Sequence, residues 1–414
     1  MASQQQPAPA AKPQAPAPTT ITALGEDLLC EIFVRLPSLP SLVRAAAACR
    51  AFLAAVRSSP SYLRRFRALH PPPLLGIFFD SDGTEMPTFT PIRRPSDPDL
   101  AAVVRGADVF LTRVPDQDDA FPVWQVAECR GGYLLLLNWR SEQIAAYNPL
   151  TRALDVIPMP PDEISDDCRG EFVYTDFFLI FSEEAPGSFR VVSLCHDESR
   201  LRAAVFLSTT REWQILPWTE DVPAQPSGEK HWLRGGTQAG GLLCWSHARK
   251  AYKVVLDTAT LQFSFIDLPE HLKGKGYLYM AGDTNDGKLC IVSVVEFTLF
   301  IWLRRADADD DVQKWMLDSV IPLEGEVLRA TESSRADHGA IKLKVWAILD
   351  GVVYMSTFET FRDYTQPCWF LSFCLVTKKL EKIFRKRNDS HVRPYIMAWP
   401  PSLVGNNFRP WLRR

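Results

Sequence analysis

The chain has 414 residues, of which 46% are hydrophobic and 23% charged, which gives room for more than one globular domain. Its formal net charge of −3 provides no global field for nucleic acid or an anionic membrane. The longest apolar run, residues 291–303, is too short to span a bilayer and is interrupted by Glu296.

Residues 1–20 carry five prolines, no apolar stretch and no Arg. They are expected to form a disordered leader rather than a secretory or transit peptide. Residues 21–70 hold seven Arg against three acids, +4, whereas residues 71–414 sum to −8. Arg57, Arg64, Arg65 and Arg67 read as a solvated helix face in preference to a binding patch.

Within residues 21–70, Leu28, Leu29, Ile32, Phe33 and Leu36 recur at helical spacing, with Glu26, Asp27, Glu31 and Arg35 opposite. Glu26 and Asp27 complement the helix N-terminus, and Glu31 with Arg35 makes an i,i+4 pair. Pro37 and Pro40 are expected to stop this helix. A second periodic run through Leu42, Ala45 or Ala46, Cys49, Phe52 or Leu53, and Val56 ends at Ser58-Ser59-Pro60, giving two or three short helices in all. So small a bundle has little core of its own, so its leftover apolar face wants a partner.

The order Leu24-x-x-Asp27-Leu28-Leu29-x-Glu31-Ile32-Phe33-x-Arg35-Leu36-Pro37, then Leu42, Cys49-Arg50-x-Phe52 and Phe66-Arg67-Ala68-Leu69-His70, resembles an F-box. It is similar in particular to plant F-box proteins whose C-terminal domain is built from repeats. The resemblance implies that residues 21–70 dock a Skp-type adaptor, and through it a cullin and a RING protein. Leu24, Gly25, Leu28, Ile32, Leu36 and Pro37 would form the contact, with Leu42, Cys49 and Phe52 holding the helices together or completing it. Gly25 stands where the family has Pro, which removes rigidity and contact surface. Phe52 stands where the family has Trp and keeps a large apolar ring.

The nine cysteines are odd in number and scattered, several of them in apolar runs, as reduced buried thiols are. Residence in the cytoplasm or nucleus is the expectation. Pro71-Pro72-Pro73 then reads as a stiff linker into residues 71–414, where the helical period gives way to short β-like runs. Gly132, Gly241, Gly287 and Gly351 each open an apolar run. Polar turns follow at Asn148-Pro149-Leu150-Thr151-Arg152, Ser208-Thr209-Thr210-Arg211, Asp257-Thr258-Ala259-Thr260 and Thr377-Lys378-Lys379. A last strand closes each unit at Pro158, Pro217, Pro269 and Pro322, spaced by 59, 52 and 53 residues, and a fifth ends near Ile383-Phe384.

A period near 50 with roughly four strands per unit predicts an all-β propeller of kelch-like length. Residues 74–124 are expected to be a degenerate first blade, making about six, and the tail from His391 to supply a strand closing the ring. The fold class expected is therefore α+β multidomain, with a small helical domain followed by the propeller; a two-sheet β-sandwich is the alternative.

No motif of catalysis emerges from residues 71–414. Cys244 and His247 have ligand-like spacing without a second pair. Asp307-x-Asp309-x-Asp311 echoes a calcium loop but has Val312 where such a loop needs Gly. The expectation is a non-catalytic ubiquitin-ligase substrate receptor that needs no cofactor or metal and binds neither nucleic acid nor membrane. Its protein substrate, unknown, would meet rim loops such as residues 160–170, 217–230 and 304–313. The competing readings are a propeller enzyme with ligands converging on the axis, and an F-box scaffold working outside a ligase.

Overall fold

The computed structural model describes residues 21, 24–58, 60–80, 86–92, 97–115, 124–181, 188–219, 222, 231–248, 252–274, 278–306, 313–332, 341–359, 367–387 and 391–399. The leader, residues 1–20, lies outside them. The chain divides between Leu69 and His70 into a helical unit and a strand unit.

The helical unit contains α1 (Glu26–Phe33), α2 (Leu39–Ala48), α3 (Arg50–Ser58) and α4 (Pro60–Leu69). Four helices replace the expected two or three. Cys49 takes an extended backbone, φ −158° and ψ 163°, and divides the run from Leu42 to Val56 in two. Pro40 lies in the first turn of α2, where its missing N–H costs nothing, so it starts the second helix instead of stopping the first. Leu29, Phe33, Leu42, Ala55, Val56 and Phe66 fill the core between the helices.

The strand unit begins with β1 (Leu74–Asp80), β2 (Thr88–Pro91) and helix α5 (Pro98–Gly106). Next come β3 (Gln125–Arg130), β4 (Tyr133–Asn138), β5 (Gln143–Asn148) and β6 (Ala153–Pro158), then β7 (Val173–Phe181), β8 (Phe189–His196), β9 (Leu201–Leu207) and β10 (Glu212–Ile215). The fourth sheet holds β11 (Leu233–Ala239), β12 (Leu242–His247), β13 (Tyr252–Asp257) and β14 (Phe263–Asp267). The fifth holds β15 (Leu278–Asp283), β16 (Leu289–Val295), β17 (Thr298–Ala306) and β18 (Gln313–Pro322). After α6 (Glu324–Thr331) the chain builds β19 (Ile341–Leu349), β20 (Val352–Glu359), β21 (Cys368–Cys374) and β22 (Leu380–Lys386), and ends in β23 (His391–Ile396).

Five of the sheets are four-stranded antiparallel meanders, and the sixth has the order β2-β1-β23. Their innermost strands meet in the cyclic order β23, β3, β7, β11, β15, β19. This is a six-bladed propeller, and the sandwich alternative is set aside. The first blade is degenerate, as expected, and takes its innermost strand from the far end of the chain. β23 pairs with β1 from Leu74↔Ile396 to Asp80↔His391. Tyr395 is fully buried there, its rings 5.6 Å from Phe78 and 6.2 Å from Phe89, and its hydroxyl donates to the Gly132 carbonyl at 3.0 Å on the next blade.

The recurring glycines open strands as expected, and the strand is the second of each blade. Gly287, whose N–H donates to the Thr284 carbonyl, ends a longer turn, and the other three sit in two-residue turns after the first strand, Gly131-Gly132, Gly240-Gly241 and Asp350-Gly351, where both residues have positive φ. Such turns match the twist of the flanking strands, and glycine adopts them without strain. The polar turns lie between the third and fourth strands, where the Asn148 and Asp257 side chains each accept two backbone N–H groups. Only the innermost strands escape the repeat signal. Bulges interrupt their alternation at Ala127, Thr175, Gly235-Gly236 and Trp346.

The closing strands knit neighbouring blades. The Trp213 indole donates to the Pro158 carbonyl at 3.1 Å, and that of Trp315 to the Asp267 carbonyl at 2.6 Å. Each bond joins the outer strand of one blade to the end of the outer strand before it.

Candidate functional site

Among the described residues, two places offer a surface for another molecule. The first is α1. Residues one apart on a helix differ by about 100° in direction, so the five-residue stripe expected from the sequence divides. Leu29 and Phe33 point inward, 2% and 3% exposed, whereas Leu28 and Ile32 face out at 56% and 40%. Gly25 caps the helix with extended backbone and no side-chain bond, leaving Glu26 and Asp27 to complement the first turn. The Glu31 carboxylate receives Arg65 from α4 and has Arg35 at 3.6 Å. These exposed pairs contribute little stability, and orient α1 more than they hold it.

Leu24 and Leu36 are half-buried and Gly25 and Pro37 exposed, so they lie with Leu28 and Ile32 on accessible surface. Leu42 does not: it is fully enclosed in the helical core. A direct adaptor contact by Leu42 is therefore corrected to the other role, holding the helices together. Phe52 is half-buried and meets Phe33 edge-on at 5.2 Å, and half-buried Cys49 forms the joint between α2 and α3.

The second place is the propeller channel. Every innermost strand starts at one end of it and finishes at the other. At the finishing end, Arg130 reaches across the axis from β3 to β15, donating to Asp283 Oδ2 at 2.9 Å and to the Gln238 carbonyl at 3.2 Å. Asp283 also accepts the Asp350 N–H at 3.0 Å. This end is crossed by an ion pair.

At the starting end lies a half-open cavity of about 270 Å³, walled by β3, β7, β23 and the ends of β1 and β4. Trp139, Tyr174 and Phe177 form its aromatic side, and Asp176 and Arg393 its polar side. Desolvation pushes the Asp176 carboxyl up to about 6, against Arg393, the Trp245 indole N–H at 2.9 Å and the Gly236 N–H. Glu128, deeper on β3, accepts the Leu179 N–H at 2.6 Å; desolvation pushes it up to about 7 against the pull of Arg130 and Arg393.

A carboxyl raised in the folded state stabilises the fold below its unfolded value and loses that contribution as pH rises through the folded one. Glu128→Gln is thus expected to leave stability unchanged near pH 4 and raise it at pH 8. The gain is up to about 3 kcal/mol, the free-energy equivalent of the shift. Urea denaturation at the two pH values measures it, and an equal effect at both would sink the assignment.

A family model described as F-box protein AT5G49610-like, beta-propeller matches residues 125–403, from the start of β3 past the end of β23. The chain belongs to this F-box propeller family. No curated protein matches it. Among solved structures, TolB from Acinetobacter baumannii is 11% identical with a TM-score of 0.39, the match covering 84% of this chain and 72% of that one. A protein of unknown function from Bacteroides caccae is 9% identical at 0.39, covering 78% and 99%. A chain of the Nidogen/Laminin complex is 10% identical at 0.36, covering 77% and 96%. These likenesses bear on no functional argument.

For this F-box propeller chain, the loops named from sequence as one rim fall at two ends. Residues 160–170 join β6 to β7 at the open end of the channel, and residues 217–219 leave β10 at that same end. Residues 304–313 join β17 to β18 and so lie at the opposite end, a correction that follows from strand direction. The described residues include only part of the second loop, and Asp307, Asp309 and Asp311 lie outside them. Asp318 pairs with Arg305 at 2.8 Å. Cys244 and His247, an odd number of positions apart on β12, project from opposite faces of the strand. Cys244 packs with Ala239 and Val255, and His247 stacks near Tyr252 at 4.7 Å. A shared metal at this pair is excluded by that geometry.

Arg393, Asp176, Glu128 and Trp139 were not marked by any motif. Arg393 stood in the tail recognised only as a closing strand. The others sit beside bulges or turns, where local pattern is weakest.

Proposed function

We propose that this chain is the non-catalytic substrate-receptor subunit of a Skp-cullin-F-box ubiquitin ligase, working in the cytoplasm or nucleus. The observation that carries the reading is the division of α1: two large aliphatic side chains, Leu28 and Ile32, stand exposed beside a fully used inner ridge. Burying both against a partner offers roughly 3 to 6 kcal/mol gross. Membership of an F-box family supports a Skp-type adaptor as that partner. The nine cysteines, none in a disulfide, suit a reducing compartment.

In this reading the protein acts by proximity. The F-box unit is held by adaptor, cullin and RING protein, while the propeller holds a substrate whose lysines then experience a raised local concentration of charged conjugating enzyme. No side chain of this chain performs acid or base work.

Co-purification with a Skp-type adaptor tests the proposal. Wild type is expected to assemble, and the Leu28→Asp, Ile32→Asp double variant to lose capture at least fiftyfold with unchanged circular dichroism, since both side chains lie outside the core. Equal capture by the two proteins would refute the docking face. Adaptor capture without ubiquitin transfer to any propeller-bound protein would favour an F-box scaffold outside a ligase.

A further inference from the structure

The cavity at the open end of the channel contains a guanidinium with unused hydrogen-bonding capacity. The Arg393 Nε is shut off from water and has no hydrogen-bond partner among the described residues. The Thr175 hydroxyl, at the bulge of β7, is likewise buried without a partner. Buried polar groups in folded proteins are nearly always satisfied, and an unmet donor is costly. Asp176 and Glu128 lie close enough for Arg393 to pull on their charge, yet their observed bonds go to the Trp245 indole and the Leu179 N–H.

The opposite wall is apolar. Trp139, 44% exposed, lies 5.7 Å from Tyr174 and 5.9 Å from Phe177, which are themselves 5.7 Å apart. The space, about 270 Å³, accommodates one large side chain with a neighbouring polar group.

We infer that this cavity binds a carboxylate of a peptide chain, received by the Arg393 fork, with an adjoining apolar side chain laid against Trp139, Tyr174 and Phe177. A guanidinium presents N–H pairs at the spacing of carboxylate oxygens, and the Arg393 Nε is a buried donor with no bond in the described structure. Asp80 and His391 also line the wall, and Asp176 faces the guest. Desolvation already makes Asp176 and Glu128 readier than usual to take up a proton, which lessens their repulsion of an arriving anion. The carboxylate belongs either to an internal acidic residue or to a chain terminus.

The inference names a substrate class for the propeller and in that sense rests on the receptor reading; the binding itself needs no adaptor. Three acetylated hexapeptides of one apolar-aromatic sequence serve as probes for the full chain, followed by Trp fluorescence and calorimetry. One has an internal Glu and an amidated end, one a free C-terminal carboxylate, and one neither. One carboxylate peptide is expected to bind at least tenfold more tightly than the neutral one, and which of the two does so identifies the source. Arg393→Gln is expected to erase that difference, and Trp139→Ala, on an exposed turn, to weaken binding several-fold without altering the melting curve. Equal binding of all three peptides, no binding of any, or an unaffected Arg393→Gln overturns the inference. So does tighter binding of a fourth probe carrying Lys, lost in Asp176→Asn, which would make the guest a cation. Adaptor capture is expected to be the same for wild type and Arg393→Gln, so failure of the docking reading shows separately.

Discussion

Tyr395→Ala is expected to destabilise the propeller by about 4 kcal/mol, within the range for deleting a large buried aromatic ring. The site leaves little room for relaxation. Tyr395 is fully buried on the strand that joins the two ends of the ring, between Phe78 and Phe89 of its own blade, and its hydroxyl satisfies the Gly132 carbonyl of the next. Removing it creates a cavity at the seam and orphans that carbonyl. Tyr395→Phe separates the two contributions, because it keeps the ring and loses only the hydrogen bond, at about 1 to 2 kcal/mol. Urea unfolding followed by Trp fluorescence reads both. An alanine variant with a wild-type midpoint would mean that β23 is not what closes the ring.

Lys253→Met is expected to act in the opposite direction, stabilising the protein at pH 7 by up to about 3 kcal/mol. Lys253 lies on β13 with 1% exposure, has Ser246 Oγ at 3.0 Å and the Tyr279 ring at 5.2 Å, and shows no ion-pair partner among the described residues. Desolvation lowers its ammonium to about 8 from an ordinary 10.5, despite the opposing pull of Cys244. Between these values the unfolded chain holds more protons than the folded one, so wild-type stability rises with pH from about 8 to about 10.5. Below pH 8 the full cost of a buried charge is present. The methionine variant carries none of it, so its advantage should be complete at pH 7 and shrink toward pH 10. A gain that did not vary with pH would point to packing alone, and a loss would mean that Ser246 and Tyr279 need the ammonium more than burial opposes it.

Those two positions illustrate what local sequence conveys. Tyr395 fell in a tail whose strand character and closing role were legible, because a chain that builds repeats in order leaves one blade short of a strand. Lys253 gave no signal, since a lysine inside Tyr252-Lys253-Val254-Val255 reads as the solvent side of an alternating strand. In a propeller both faces of such a strand are covered by neighbouring blades, and the lysine is shut in. The same effect hid the innermost strands, whose bulges at Ala127, Thr175 and Trp346 break the alternation just where the channel is formed.

The F-box divides in the same way. The ordered run from Leu24 to Phe52 carried the F-box resemblance, and the split of α1 into Leu29 and Phe33 inside, Leu28 and Ile32 outside, needed the other helices in place. Leu42 was indistinguishable from a contact residue until its burial was seen.

By itself the sequence determined the two-part organisation, the repeat period, the turn chemistry and the F-box resemblance, because each is written in residues near one another along the chain. Tertiary structure alone decided which face of α1 is free, which loops share an end of the channel, and that Arg393, Thr175 and the Trp139 cluster surround one cavity. Those juxtapositions join residues up to some 250 positions apart, brought together by the closure of the ring. No local pattern encodes a distance set by the meeting of the first blade with the last strand.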